Sequence, residues 1–104
     1  MTIRMIDALT LKRRLDEGTA ILVDIREPKE FAKEHIEGAR LVPLSAFDAR
    51  EIGYEPGKAV VFSCLSGMRT TKNANLFLTT GLPDIYALAG GLQAWKAAGL
   101  PVQS

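Results

Sequence analysis

The sequence predicts an α/β fold, with a mainly parallel central sheet of about five strands and helices covering both faces of that sheet. Short apolar segments rich in β-branched residues alternate along the chain with segments of helical periodicity. The segments 20–25 and 58–63 are almost continuously apolar, which is typical of strands covered on both sides. This alternation favours right-handed βαβ units around a parallel sheet.

The first predicted elements are a short strand, a helix and a buried strand. Residues 2–6 are partly β-branched and can pair as a strand. Asp7 is a suitable N-cap for the following helix, which Gly18 ends. The strand at 20–25 is apolar apart from Asp24.

The middle of the chain predicts short elements. Pro28 suits the first turn of a helix that runs to about Lys33. Residues 40–42 form a short strand, and Ser45 is expected to cap a brief helical turn. Residues 50–57 contain two glycines and a proline, and they predict a loop.

The last third predicts two further strands, each followed by a helix. The strand at 58–63 leads through Cys64 into a helix that Gly81 ends. Residues 84–88 form the last strand, and the last helix is anchored by apolar residues that include Trp95.

The chain's single cysteine, Cys64, lies between a predicted strand and a predicted helix. Ligands bind at the carboxyl ends of parallel strands, and unpaired N–H groups at a helix start favour an anion such as a thiolate. Gly67 permits a tight turn, and Arg69 supplies a permanent charge with a fork of donors. This pattern predicts a thiolate nucleophile for an anionic substrate. Around the catalytic cysteine, the predicted anion-binding loop consists of Leu65, Ser66, Gly67, Met68, Arg69 and Thr70.

Two roles are open for the hydroxyl groups of Ser66 and Thr70. They could donate to the substrate or to sulfur on Cys64, or they could cap the following helix. Met68 is expected at the entrance of the loop. Because Asp24 lies in an apolar strand, it needs a partner, and a structural hydrogen bond is the favoured role.

Two other interpretations of Cys64 compete with a thiolate that the loop alone activates. A lone cysteine after an apolar strand is often a small buried hydrophobic residue. The only histidine, His35, could form a protease-like dyad with Cys64, although a fixing hydrogen bond near the Gly38 turn is favoured. One histidine with one cysteine also makes a poor zinc site.

Four segments resemble, in order, the signatures of the rhodanese-domain sulfurtransferase family. They cover about 21–101, and the matching residues are 23–27 with 30–31, 35–39, 64–70, and 90–95 with 99–101. Glu34 and Leu65 depart from the residues common in the family. The resemblance implies that residues 1–104 form a single domain with a rhodanese-like fold.

The resemblance also implies thiosulfate sulfurtransferase activity. A Cys64 persulfide would carry sulfane sulfur from a donor such as thiosulfate to cyanide or to a protein or low-molecular-weight thiol, without metal or organic cofactor. Asp24 and Arg26 would lie near the rim as supporting residues, with Arg26 paired to Asp24 or to Glu30. A structural ion pair is the favoured role.

Two other functions use the same residues. The domain could be a persulfide carrier or a redox or nitrosation sensor with little turnover. A phosphatase or arsenate reductase is less favoured, because four residues separate Cys64 from Arg69 where those related loops have five.

Composition limits the remaining classes. The 104 residues have a net charge of +1, with 47% hydrophobic and 24% charged residues, so nothing points to nucleic acid as a partner. One cysteine fits a reducing compartment, and we expect a cytoplasmic protein without a signal peptide. No apolar run is long enough to span a membrane, although the chain could come from a longer membrane protein.

Overall fold

The computed structural model describes residues 3–104 and contains a five-stranded sheet in which every neighbouring pair is parallel. The order across the sheet is β1-β5-β4-β2-β3. The strands are β1 (Arg4–Ile6), β2 (Ala20–Asp24), β3 (Arg40–Leu41), β4 (Ala59–Ser63) and β5 (Ile85–Leu88). The predicted α/β class and parallel sheet are confirmed. Of the predicted first strand, Thr2 lies outside the described residues.

Five α-helices connect and cover the described strands. They are α1 (Ala8–Glu17), α2 (Pro28–Lys33), α3 (Met68–Lys72), α4 (Ala74–Leu78) and α5 (Gly91–Ala97). The Asp7 side chain accepts the Thr10 N–H at 2.8 Å, and Gly18 ends α1 in the left-handed region. Both boundaries agree with the sequence prediction.

The sheet carries an apolar core on each face. Val60 and Phe62 of β4 belong to one cluster, in which the Phe62 and Phe77 rings stack with centroids 4.2 Å apart. Val61 belongs to the opposite cluster, with Leu11 of α1 and Trp95 of α5. Helices therefore cover both faces, which explains why every residue of β2 and β4 is buried.

The register brings the ends of β2 and β4 together. Asp24 pairs with Ser63, and the Ile25 N–H donates to the Ser63 carbonyl at 2.9 Å. Cys64 follows Ser63 directly, so it lies at the same edge of the sheet as Asp24. This is the carboxyl edge that the sequence predicted for the site.

The prediction of a single helix after Cys64 is wrong, because Asn73 separates this segment into α3 and α4. The Asn73 side chain donates to the Arg69 carbonyl at 2.7 Å and competes with the helical hydrogen bonds. Thr70 and Thr71, which precede it in α3, have low helix propensity and further weaken a continuous helix.

Two predictions about the middle of the chain also need correction. Ser45 is not a cap: the 3-10 turn Leu44–Ala46 follows Pro43, and the Ser45 hydroxyl hydrogen-bonds to Glu27. The predicted loop contains a second 3-10 turn, Ala49–Ile52, which is capped by Asp48. In the described part of the chain no helix is long and apolar enough to cross a bilayer.

Candidate active site

Cys64 lies at the bottom of the loop between β4 and α3. It is a free thiol, and the residue is only 1% exposed. The Gly67 N–H donates to its Sγ at 3.1 Å. This contact requires the loop to fold back on itself, and Gly67 does so with φ +94°, a value that favours glycine. A backbone donor at this distance stabilises negative charge on sulfur.

The two hydroxyl groups of the loop have different partners. Thr70 is fully buried, its hydroxyl donates to the Gly67 carbonyl at 2.8 Å, and its Oγ1 lies 3.8 Å from the Cys64 Sγ. Ser66 is exposed, and its Oγ accepts the Met68 N–H at 3.4 Å. Thr70 therefore both fixes the turn and faces the sulfur, whereas Ser66 accepts a long hydrogen bond from the first N–H of α3, whose N-cap residue is Gly67.

The first residues of α5 fix the cysteine loop through two backbone hydrogen bonds. The Leu92 N–H donates to the Cys64 carbonyl and the Gln93 N–H to the Leu65 carbonyl, each at 2.9 Å. A Cβ atom on Gly91 would lie 2.5 Å from the Cys64 carbonyl oxygen. Only glycine allows this approach, so Gly91 is a site residue that the sequence reasoning missed. Its signal was the Gly90-Gly91 pair directly before an apolar helix.

The outer surface of the loop is partly apolar. Met68 is 59% exposed and Leu65 is 37% exposed, with the polar Ser66 between them. Met68 was expected at the entrance of the loop, and its side chain is exposed to solvent. The sulfur is thus buried, whereas two apolar side chains of the same loop are accessible to solutes and to partner proteins.

The Arg69 guanidinium forms a two-point ion pair with Glu30 of α2. Nη1 and Nη2 donate to the two carboxylate oxygens at 2.8 and 2.9 Å. The Arg69 hydrogen bonds hold the pKa of Glu30 down at about 2. The hydrogen bonds to Glu30 likewise raise the pKa of Arg69 above its ordinary value. The donors of Arg69, a residue of the cysteine loop, are thus bound to Glu30, and the sequence analysis did not pair these two residues.

Asp24 and Arg26 form a buried ion pair beside the loop. Arg26 donates through its backbone N–H, Nε and Nη2 to the Asp24 carboxylate at 2.9–3.1 Å, and also to the Glu34 carbonyl. The residues are 5% and 3% exposed. Of the two partners predicted for Arg26, Asp24 is the one observed. The pair fixes the end of β2 against the segment that follows α2.

His35 is held by α2. Its Nδ1 lies 2.8 Å from the Phe31 carbonyl oxygen, which can only accept, and its ring stacks on Phe31 at 3.9 Å. The hydrogen bond agrees with the structural role favoured above, and the Cys64–His35 dyad is not formed. Within residues 3–104, no group of three acidic, histidine or cysteine side chains could hold a metal ion.

A separate small cavity of about 110 Å³ lies between α1 and α5. Its walls contain no residue of the cysteine loop, and the polar pair on its rim, Lys12 and Asp16, is already joined by an ion pair. The lining residues are Lys12, Leu15, Asp16, Ile36, Glu37, Trp95 and Pro101.

Comparison with known proteins agrees with this geometry. The family model described as "Rhodanese-like domain" matches residues 7–98. A crystal structure of a rhodanese-related protein from Thermoplasma volcanium superposes with a TM-score of 0.81 at 27% identity, over 96% of this chain and 97% of the other.

Sequence relatives have different lengths. An uncharacterized Synechocystis protein is 40% identical over 88% of this chain, which spans only 51% of that relative. A protein of Allochromatium vinosum named "Sulfurtransferase" is 34% identical, over 93% of this chain and 92% of its own length. The Pseudomonas aeruginosa protein named "Thiosulfate sulfurtransferase GlpE" is 32% identical, over 82% of this chain and 77% of its own length.

Proposed function

Because this chain belongs to the rhodanese-like domain family, we propose that it is a sulfurtransferase with Cys64 as its catalytic residue. The observation that carries the proposal is the Cys64 Sγ, buried at the end of β4 with the Gly67 N–H 3.1 Å away. The relative named as a sulfurtransferase over nearly its full length supports the activity. The relative named as a thiosulfate sulfurtransferase supports thiosulfate as a donor.

In the first half-reaction, the Cys64 thiolate attacks the outer sulfur of thiosulfate. The bond between the two sulfur atoms of thiosulfate breaks, its electron pair leaves with sulfite, and a Cys64 persulfide anion forms. The thiolate and the thiosulfate dianion together carry the same charge as the persulfide and sulfite. The backbone N–H groups from Leu65 to Arg69 would surround the terminal sulfur, and the Gly67 N–H already donates to the Cys64 Sγ that carries it.

In the second half-reaction, an acceptor removes the outer sulfur. Cyanide attacks it, the bond to the cysteine sulfur breaks, and thiocyanate leaves while the Cys64 thiolate is restored. A cellular thiol accepts the sulfur in the same way and becomes a persulfide. The scheme is ping-pong with a covalent intermediate, and it needs no metal or organic cofactor.

Carriage of persulfide between proteins is the second candidate. The exposed Leu65 and Met68 favour it, because apolar side chains on the loop that holds the sulfur suit a protein partner better than a small hydrated anion. The first half-reaction is common to both functions. They differ in the acceptor, so a carrier loads sulfur but returns it slowly to cyanide.

A phosphatase or arsenate reductase is disfavoured by the loop. Four residues separate Cys64 from Arg69, and the start of α5 closes the loop from below through the Cys64 and Leu65 carbonyls. This compact loop suits a single added sulfur atom better than a tetrahedral oxyanion.

The proposal extends to domain organisation and location. Residues 1–104 act as one rhodanese domain. The chemistry needs a reduced thiol, so we place the protein in a reducing compartment such as the cytoplasm.

Thiocyanate formation from thiosulfate and cyanide tests the function. We expect parallel lines in double-reciprocal plots and loss of activity in Cys64→Ser, whose far-UV circular dichroism should match the wild type. Release of phosphate from an aryl phosphate serves as the competing assay. Activity retained by Cys64→Ser, or turnover of the aryl phosphate alone, would overturn the assignment.

A further inference from the structure

The fork of donors on Arg69 is already occupied. Its two terminal nitrogens meet the two Glu30 oxygens at 2.8 and 2.9 Å, a geometry that matches the way a guanidinium binds an oxyanion. Glu30 thus presents to Arg69 the same pair of acceptors that a sulfonate or sulfate group would present.

Glu30 is fixed by its own helix. Its Oε1 accepts the Glu27 N–H at 3.2 Å and completes the capping box at the start of α2. Ser45 binds the Glu27 side chain in turn. The carboxylate is consequently held in place as part of a rigid helix start and stays ionised at neutral pH.

The pair is nevertheless accessible to solutes. The side chains of Arg69 and Glu30 are 36% and 34% exposed, whereas the neighbouring Asp24–Arg26 pair is almost completely buried and mutually neutralised. An anion that binds the Arg69 guanidinium therefore meets the Glu30 carboxylate as well. It gains little attraction unless it displaces Glu30, and it is repelled by Glu30 in proportion to its own charge.

We propose that Glu30 is a positioning residue that sets donor specificity by holding the Arg69 fork. The carboxylate disfavours dianionic donors such as thiosulfate relative to donors that carry the same sulfane sulfur on a group of lower charge. This inference rests on the proposed sulfur transfer at Cys64. It names the class of donor that the site prefers, namely monoanionic or uncharged carriers of sulfane sulfur.

Two donors differ mainly in charge and test this directly. Thiosulfate is a dianion and releases sulfite, whereas methanethiosulfonate is a monoanion and releases methanesulfinate. In both cases the Cys64 thiolate takes the terminal sulfur, and the electron pair of the broken S–S bond leaves with the other product. Cyanide serves as acceptor for both, so thiocyanate is the common readout.

Glu30→Gln removes the charge and keeps an oxygen for the capping box. We expect kcat/KM for thiosulfate to rise about tenfold, mainly through KM, and kcat/KM for methanethiosulfonate to rise about threefold or less. Glu30→Asp retains the charge and should retain the wild-type preference. The matched control is Glu55→Gln, which removes a carboxylate paired with Arg40 and Lys58 away from the loop. The inference would be overturned if the ratio of kcat/KM for thiosulfate to kcat/KM for methanethiosulfonate were the same in the wild type, Glu30→Gln and Glu55→Gln.

A binding measurement separates this inference from the proposed function. In Cys64→Ser no transfer can occur, and thiosulfate binding is followed by NMR titration of the backbone amides of the loop. We expect Glu30→Gln in this background to bind thiosulfate several-fold more tightly, and unchanged affinity would contradict the role of Glu30. Failure of the wild type to load sulfur from either donor would refute the sulfurtransferase proposal instead.

Discussion

At the residue scale, the site depends on a small number of charged and polar contacts around one thiol. The Gly67 N–H and the Thr70 hydroxyl face the Cys64 Sγ at 3.1 and 3.8 Å. The buried Asp24–Arg26 pair fixes the adjacent strand end. Arg69 forms a two-point ion pair with Glu30.

The buried pair gives a prediction about stability. Asp24→Asn leaves the Arg26 guanidinium buried without its countercharge, so the free energy of unfolding should fall by about 3–5 kcal/mol. Asp16→Asn makes the same chemical change in an exposed pair with Lys12 and should cost less than about 1 kcal/mol. Urea unfolding of both variants checks this, and equal losses would refute it.

The Glu30–Arg69 pair gives a prediction about pH. The folded protein holds the pKa of Glu30 at about 2, against an ordinary value of 4.5, so this carboxylate stabilises the fold above pH 4.5. That contribution is lost as the pH falls from 4.5 through about 2. Because both side chains are a third exposed, the contribution should be below about 1 kcal/mol.

The stability of Glu30→Gln measures this contribution, since glutamine does not titrate. The variant should be slightly less stable than the wild type at neutral pH, and the difference should shrink steadily as the solution is acidified below pH 4.5. Urea unfolding across this range is the measurement. A difference that grows on acidification would have the wrong sign for a lowered carboxylate pKa.

At the element scale, the loop is built by three segments that meet at the carboxyl edge of the sheet. β4 delivers the cysteine, α3 continues from the turn at Gly67, and the start of α5 binds the Cys64 and Leu65 carbonyls from below. The position of the sulfur thus depends on a helix that begins 27 residues after it.

Gly91→Ala tests the brace under the loop. The added methyl group would lie 2.5 and 2.7 Å from the Cys64 and Leu65 carbonyl oxygens, so the loop or α5 must move. We expect sulfur loading to slow about tenfold or more, because small displacements at a reacting atom are costly. Gly99→Ala is the control: it has a similar positive φ but nothing within 4 Å of the new Cβ. The free energy of unfolding of Gly99→Ala should fall by about 1–2 kcal/mol, while the folded variant should load sulfur at the wild-type rate. Equal rates of sulfur loading in Gly91→Ala and Gly99→Ala would contradict the role given to Gly91.

Sequence reasoning identified most elements but not their interruptions. Asp7 and Gly18 define α1 because capping is a local property. The break at Asn73 was missed, because an apolar spacing that continues across it suggested one helix. Its local signal was an asparagine after two threonines, residues that bond to the backbone in place of the helix.

At the scale of the whole molecule, the apolar residues alternate between the two faces of the sheet and create two cores. Val60 and Phe62 contribute to one cluster, and Leu11 and Trp95 to the other. The continuous apolar strands predicted this arrangement directly. The sheet order could not be deduced from them, since β1 pairs with β5 far along the chain, with Arg4 opposite Tyr86.

The same limit applies to the site. Cys64 and its loop were predicted because they are adjacent in sequence and follow a clear strand. Glu30 lies 39 residues from Arg69, and Gly91 approaches the loop only through the fold. The Gly90-Gly91 pair indicates that a glycine is needed there, but no local pattern identifies which residues Gly91 or Glu30 contacts.

Leucine substitutions on α1 test the two-sided core. Leu11 is completely buried, and Leu11→Ala should lower the free energy of unfolding by about 2–5 kcal/mol. Leu9 on the same helix is 65% exposed, and Leu9→Ala should change it by about 0.5 kcal/mol or less. Chemical unfolding of both variants is the check, and similar losses would show that α1 does not pack as described.

The most direct test of the central claim is the intact mass of the reduced protein after incubation with thiosulfate and then with cyanide. We predict a gain of one sulfur atom on Cys64, which cyanide removes as thiocyanate, and no gain in Cys64→Ser. An unchanged mass, with the thiol shown to be free and reactive, would contradict the sulfurtransferase account.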